Sequence, residues 1–269
     1  MRRSRIASSA SAFLLAAACA FAGPTRAPAA PSRAALDYVA LGDSYSAGVG
    51  AGSYVSSGTG CLRSRRAYPV LWAAAHASSF SFTACNGAGT SDVLAKQLGP
   101  LSPRTDLVSI SVGGSDSGYA GVMATCVLPG TTACKSAVTR AHSVMDGALP
   151  ANLDRLYSAI RTKAPAARVV VLGYPHFYQL HGACRGGLHD TERAALNEAV
   201  DHLNSVIAKR AAEHGFTFAD VRTAFTGHEI CSSSPWLRSV DWLNLTESYH
   251  PTASGQSLGY LPLLADTAW

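Results

Sequence analysis

Arg168-Val169-Val170-Val171-Leu172-Gly173 is the segment that most limits how this chain can fold. Four apolar residues, three of them β-branched, stand in a row with no polar alternation. A strand of that kind has both of its faces covered. Covering both faces takes helices on each side of the sheet, which requires parallel crossovers. The surrounding sequence supplies the parts. Short apolar runs at 38–41, 80–84, 107–112 and 216–221 read as further strands. Helical patterns fall between them at 69–77, 137–163, 191–214 and 253–264. In the third of these, Leu196, Val200, Leu203 and Ile207 share one helical face. The expectation is an α/β fold: one three-layer α/β/α domain on a five-stranded parallel sheet.

Charge gives a second constraint. The chain of 269 residues carries a formal +5. Residues 1–30 contain Arg2, Arg3, Arg5 and Arg26 and no acid. Taking those four from 22 basic residues leaves 18 against 17 acids, a net +1. That balance argues against a nucleic-acid partner. The same N-terminal residues read as a secretory leader. A charged start is followed by a short apolar stretch from Ala10 to Phe21, too short to span a bilayer. Ala20-Phe21-Ala22 and Ala27–Ala30 both offer small-residue cleavage sites. Residues 1–30 are therefore expected to be leader and linker, with a single domain from 31 to 269 in an exported protein. Cys19 offers a lipid anchor, but Ala16 stands where an aliphatic Leu or Val is expected, so anchoring is the lesser reading.

Setting Cys19 aside, six cysteines remain: Cys61, Cys85, Cys126, Cys134, Cys184 and Cys231. An even number in an exported chain favours disulfides. Many pairings are possible in principle. Sequence order suggests 61–85, 126–134 and 184–231, each tying a loop to a neighbouring loop. A zinc site is the weaker alternative, because no Cys-x-x-Cys occurs.

In an open α/β sheet, ligands bind beyond the carboxyl ends of the strands. Gly42-Asp43-Ser44-Tyr45-Ser46-Ala47-Gly48 lies there after the first strand, Asn86-Gly87 after the second and Gly113-Gly114-Ser115-Asp116 after the third. Glu247-Ser248-Tyr249-His250-Pro251 precedes the last helix. A serine in a glycine-rich turn and a distant histidine suggest a nucleophile and its base. The bland alternatives are a helix N-cap serine and a structural histidine. His76, His142, His202 and His214 lie on expected helices and read as surface or helix-end groups. His176, with Phe177 and Tyr178, follows the fourth strand and is a candidate to line the cleft.

At these residues the chain resembles the SGNH (GDSL-type) hydrolases, most closely secreted actinobacterial lipases and esterases with three disulfides. The resemblance runs from Gly42-Asp43-Ser44 to His250-Pro251. It implies the flavodoxin-like SGNH hydrolase fold, Ser44 as nucleophile and His250 as base. It implies an oxyanion hole from Ser44 and Gly87. The family's third block is Gly-x-Asn-Asp, and here Ser115 replaces the asparagine, so its hydroxyl is expected to take part of that role. The family's last block begins with Asp, and here it begins with Glu247. The imidazole is then oriented either by the Glu247 carboxylate or by the Ser248 carbonyl, with the carbonyl preferred. The implied enzyme is a secreted carboxylic ester hydrolase, a lipase or esterase, acting through an acyl-enzyme. No metal or organic cofactor is implied. The substrate is a small-molecule or lipid ester, with transient contact to a lipid interface, and the protein is expected to be a monomer. Phospholipase A or acyltransferase chemistry would use the same residues. A carbohydrate acetyl esterase and a non-catalytic secreted relative are the rival readings. Nucleotide binding is disfavoured, since neither Gly-x-Gly-x-x-Gly nor a P-loop occurs.

Overall fold

The computed structural model describes residues 36–56, 58–128, 130–184 and 187–269. The expected leader, with Cys19 and its cleavage sites, lies outside the described residues. Five strands form one parallel sheet: β1 (Leu36–Gly42), β2 (Ala77–Phe82), β3 (Leu107–Ser111), β4 (Arg168–Leu172) and β5 (Thr217–Ala219). Their order is β2-β1-β3-β4-β5. Val169 to Leu172 are buried, as a run without polar alternation requires.

The chain adds β2 on one side of β1, then returns to build β3, β4 and β5 on the other. Right-handed crossovers therefore put the connecting helices of the two halves on opposite faces. α1 is the short turn Ser44–Ala47 and α2 is Tyr68–His76. α3 (Thr90–Lys96) follows β2, and α4 (Tyr119–Cys126) follows β3. α5 (Thr131–Asp146) and α6 (Ala148–Lys163) lead to β4, α7 (Asp190–Glu213) leads to β5, and α8 (Leu261–Thr267) closes the domain. α2 packs on β1 and β2 and against α8. α7 packs on β4 and β5 with α5 and α6 beside it. The winding reverses between β1 and β3, which opens a crevice at their carboxyl ends.

Three expectations change in detail. The pattern expected as one helix from 137 to 163 is two helices. Gly147 ends α5 with φ −92° and ψ −87° and starts α6. Each helix then keeps its own buried stripe: Ala137, Ala141 and Met145 on α5, and Leu149, Leu153, Leu156 and Ile160 on α6. The second strand runs 77–82 rather than 80–84. Past Phe82 the Thr83 and Cys85 N–H groups still donate to the Ala40 and Gly42 carbonyls, at 2.9 and 3.0 Å. The last helix opens with a π-helical turn, Gly255–Tyr260. A Cβ at Gly255 would lie 2.6 Å from the Trp236 carbonyl oxygen, and one at Gly259 2.3 Å from the Phe225 ring. The wide turn lets both glycines press against those groups.

The disulfides are Cys61–Cys85, Cys126–Cys134 and Cys184–Cys231. The first ties the loop after α1 to the loop after β2. The second joins the end of α4 to α5. The third joins the connections that follow β4 and β5.

Candidate active site

β1 ends at Gly42, whose φ of +122° suits only glycine. A Cβ there would lie 2.4 Å from the Ser111 carbonyl oxygen of β3. The buried Gln97 side chain holds both backbone groups of this glycine. Its Oε1 accepts the Gly42 N–H at 2.7 Å and its Nε2 donates to the Gly42 carbonyl at 2.9 Å. Asp43 is the N-cap of α1, accepting the Tyr45 N–H at 3.0 Å. Capping is thus carried by Asp43, which leaves the Ser44 hydroxyl free for another partner.

That partner is His250. Ser44 Oγ lies 2.7 Å from Nε2, and Nδ1 lies 2.9 Å from the Ser248 carbonyl oxygen. A carbonyl can only accept, so Nδ1 carries the proton and Nε2 turns its lone pair to Ser44. Burial holds the imidazole well below its ordinary value, down to about 4. The ring is therefore neutral at neutral pH. Tyr249, between these two residues, sits in the left-handed region with φ +65°. Such a conformation costs a non-glycine residue on the order of 1–3 kcal/mol and needs support from its surroundings. The Tyr249 N–H donates to the Arg238 carbonyl at 2.9 Å, and its own carbonyl accepts Tyr45 Oη–H at 2.7 Å. The Glu247 carboxylate is not on the imidazole. It accepts from Tyr54 Oη at 2.8 Å and pairs with Arg238 Nε at 3.1 Å.

Beneath Ser44 lies a buried polar network. Asp43 Oδ1 also accepts from Ser111 Oγ at 2.6 Å, and Oδ2 accepts from Tyr174 Oη at 2.5 Å. Burial raises this carboxyl to about 6 despite those bonds. Tyr174 Oη in turn accepts the Gly114 N–H at 3.1 Å. The serine loop and the loop after β3 are therefore joined through one tyrosine.

Gly87 follows β2 with φ +75° and is exposed. Ser115 is exposed at the mouth of the cleft. Neither the Gly87 N–H nor the Ser115 hydroxyl has a hydrogen-bond partner among the described residues. Asp116 turns away and accepts the N–H and hydroxyl of Thr90 at the start of α3, at 2.9 and 2.5 Å. Beside Ser44 the cleft wall is apolar, with Val122 of α4, Met145 of α5, Phe177 after β4 and Leu196 and Val200 of α7.

Phe177 lines the cleft as its position suggests, whereas His176 and Tyr178 do not. His176 Nε2 lies 2.7 Å from Asp201, and Tyr178 Oη lies 2.9 Å from Tyr249 Oη. Gln97, Tyr174 and Gln256 also brace the site, without a local motif to mark them. Gln256 is fully buried, accepts the Tyr68 N–H at 2.9 Å and donates to the Tyr45 carbonyl at 3.1 Å. The π-helical turn places it there. Nothing in the local sequence marks these three residues, since each acts on a partner 30 or more positions away in the chain. No group of three or more His, Cys, Asp or Glu side chains is placed to hold a metal ion among the described residues.

A serine that meets a neutral imidazole at the carboxyl ends of a parallel sheet, beside an apolar wall, is an arrangement able to support acyl transfer. Residues 40–258 match the profile of the GDSL-like lipase/acylhydrolase family. The chain belongs to that family and is an ester hydrolase. Lipase 1 of Streptomyces coelicolor is 60% identical over 269 residues, 100% of both chains. The crystal structure of the extracellular lipase of Streptomyces rimosus superposes with a TM-score of 0.84 and 58% identity, over 87% of this chain and 100% of that one. Phospholipase A1 of Streptomyces albidoflavus gives 0.85 and 57%, over the same shares.

Proposed function

We propose that this chain is a secreted serine hydrolase of carboxylic esters with apolar acyl chains, working through the pair Ser44 and His250. The observation that carries the reading is the 2.7 Å contact of Ser44 Oγ with an imidazole whose other nitrogen faces the Ser248 carbonyl at 2.9 Å. His250 Nε2 takes the Ser44 proton as Oγ attacks the ester carbonyl. The resulting oxyanion is held by the N–H groups of Ser44 and Gly87 and by the Ser115 hydroxyl. His250 then protonates the leaving alcohol, and an acyl-serine remains. Water attacks the acyl carbon as it gives a proton to His250, and the imidazolium returns that proton to Ser44 Oγ as the acyl–Oγ bond breaks and the acid leaves. The acyl chain lies along Val122, Met145, Phe177 and Leu196. Removal of residues 1–30 as a leader and export to an oxidising compartment fit the three paired-cysteine bridges.

Fluorophosphonate labelling tests the nucleophile, and a panel of esters varied in acyl length and head group tests the substrate class. Labelling should be lost in Ser44→Ala while the fold persists. A folded Ser44→Ala protein that still turns over esters at the wild-type rate refutes the assignment. A panel preference for phospholipid over triacylglycerol or simple esters would place the activity with phospholipase A.

A further inference from the structure

The segment Asp241–Ser248 forms a closed knuckle that carries three bare apolar side chains. Trp242, Leu243 and Leu245 are 66%, 100% and 60% exposed. The backbone beneath them is tied by its own hydrogen bonds. Asp241 Oδ1 accepts the Leu243 and Asn244 N–H groups at 2.9 and 3.2 Å. A 3₁₀ turn at Leu245–Glu247 follows, and Ser248 Oγ accepts the Asp241 N–H at 2.9 Å to close the base. The apolar exposure is therefore built into a hydrogen-bonded turn. Ser248 is also the residue whose carbonyl meets His250, so the knuckle rises directly beside the reacting groups.

We infer that this knuckle docks the enzyme on a lipid–water interface by inserting Trp242, Leu243 and Leu245 among the acyl chains. The inference rests on the ester-hydrolase reading and adds how a lipid substrate is reached. Area decides against a protein partner. One tryptophan and two leucines at these exposures offer roughly 400 Å², whereas a stable protein interface takes about 800 Å² from each side. Charge points the same way. The Asp241 carboxylate is bonded to its own loop and the Glu247 carboxylate is held by Tyr54 and Arg238. Neither is left to give a partner protein specific contacts. A tryptophan beside leucines is a side-chain set that sits well at a bilayer surface, with the indole at head-group level. The near-neutral domain offers no long-range attraction to anionic lipid, so the contact must be apolar and insensitive to salt.

The test uses vesicles of phosphatidylcholine and the mature chain carrying Ser44→Ala, which prevents hydrolysis during measurement. Binding is read by co-flotation and by the tryptophan fluorescence shift, at low and high salt. Trp242→Ser and Leu243→Ser are made in that background for the binding measurement, and also in the active enzyme, which is assayed on p-nitrophenyl acetate in solution and on an emulsified long-chain ester. Expected are salt-independent vesicle binding, a loss of about tenfold or more in that binding for either substitution, and a matching loss on the emulsion. Turnover of the soluble ester should stay within about twofold of the parent, because neither side chain touches the reacting atoms. Vesicle binding unchanged by both substitutions overturns the proposal, as does an equal fall on the soluble ester. A concentration-dependent dimer abolished by Leu243→Ser would assign the knuckle to a second copy and also overturn it. Hydrolysis of soluble ester without vesicle binding defeats the docking alone. Vesicle binding without hydrolysis of any ester defeats the catalytic reading alone.

Discussion

Tyr174 Oη donates to Asp43 Oδ2 at 2.5 Å while accepting the Gly114 N–H at 3.1 Å. One phenol thus fixes the carboxylate just before Ser44 and the turn just before Ser115. Tyr174→Phe keeps the ring against Tyr45 and removes both bonds. A buried carboxylate that loses a donor costs about 1–3 kcal/mol. The expected result is a lower urea midpoint, together with a fall in kcat of about tenfold and little change in KM, since the oxyanion contacts matter most in the transition state. Steady-state kinetics on a soluble ester and urea titration check it. A variant with lowered stability and unchanged kcat would show that the bond only supports the fold.

Burial moves Asp43 and His250 in opposite directions, with opposite consequences for stability against pH. His250 is held at about 4 against an ordinary 6.5, so its contribution is present above 6.5 and lost as pH falls through about 4. Asp43 is raised to about 6 against an ordinary 3.8, so its contribution is present below 3.8 and lost as pH rises through about 6. The two nearly offset between pH 4 and 6 in the parent protein. Asp43→Asn should leave the histidine effect alone, and its melting temperature should drop on acidification from 6.5 to 4. His250→Asn should do the reverse, losing stability as pH rises from 4 to 6. Each slope is worth on the order of 3 kcal/mol across its full window, and thermal melts at four pH values suffice. Activity carries a related signature. His250 stays neutral well below 6.5, so with His250 as the base kcat/KM should keep its acid limb near 4.

Much of this was legible in the chain because it is local. The β-branched run at 169–172 fixed a doubly covered strand, and glycine-flanked loops marked the strand exits where Ser44, Gly87 and Ser115 lie. Cysteine order anticipated the three bridges. The rest depends on partners far apart in sequence. Gln97 reaches Gly42, Gln256 reaches Tyr45 and Tyr174 reaches Asp43, and no periodicity encodes such pairings. Gly147 falls inside the span expected as one helix, 137–163, yet each side keeps its own buried stripe and the chain breaks there. Glu247 shows the converse. Its position suits a triad acid, but Tyr54 and Arg238 hold its carboxylate, and the imidazole bonds the Ser248 carbonyl.

The apolar wall predicts acyl-length control. Val122 of α4 lies on the cleft beside Ser44 and is 9% exposed. Val122→Phe fills space there rather than in a closed core, so it should fold with a cost of about 1–3 kcal/mol at most. Long acyl esters should lose about tenfold in kcat/KM relative to short ones, since a few displaced methylenes are worth 1–3 kcal/mol in a pocket of this kind. The measurement is the ratio of kcat/KM for twelve-carbon and four-carbon p-nitrophenyl esters. An unchanged ratio would put the acyl chain elsewhere.

Ser115 stands where the family resemblance leads one to expect an asparagine, and its hydroxyl has no partner among the described residues at the cleft mouth. The loop that carries it is held from behind: Asp116 caps α3 and Gly114 is bonded to Tyr174. A hydroxyl on a fixed loop can donate to an oxyanion directly or through one water. Ser115→Ala should then lower kcat by about tenfold with a smaller change in KM, which corresponds to about 1.4 kcal/mol of transition-state stabilisation. Ser115→Asn extends the donor by one bond from the same backbone and should keep or raise kcat. Single-turnover acylation rates separate this from an effect on product release. If the alanine variant acylates at the parent rate and the asparagine variant is slow, the hydroxyl is a bystander. Ser44 and Gly87 would then hold the oxyanion alone.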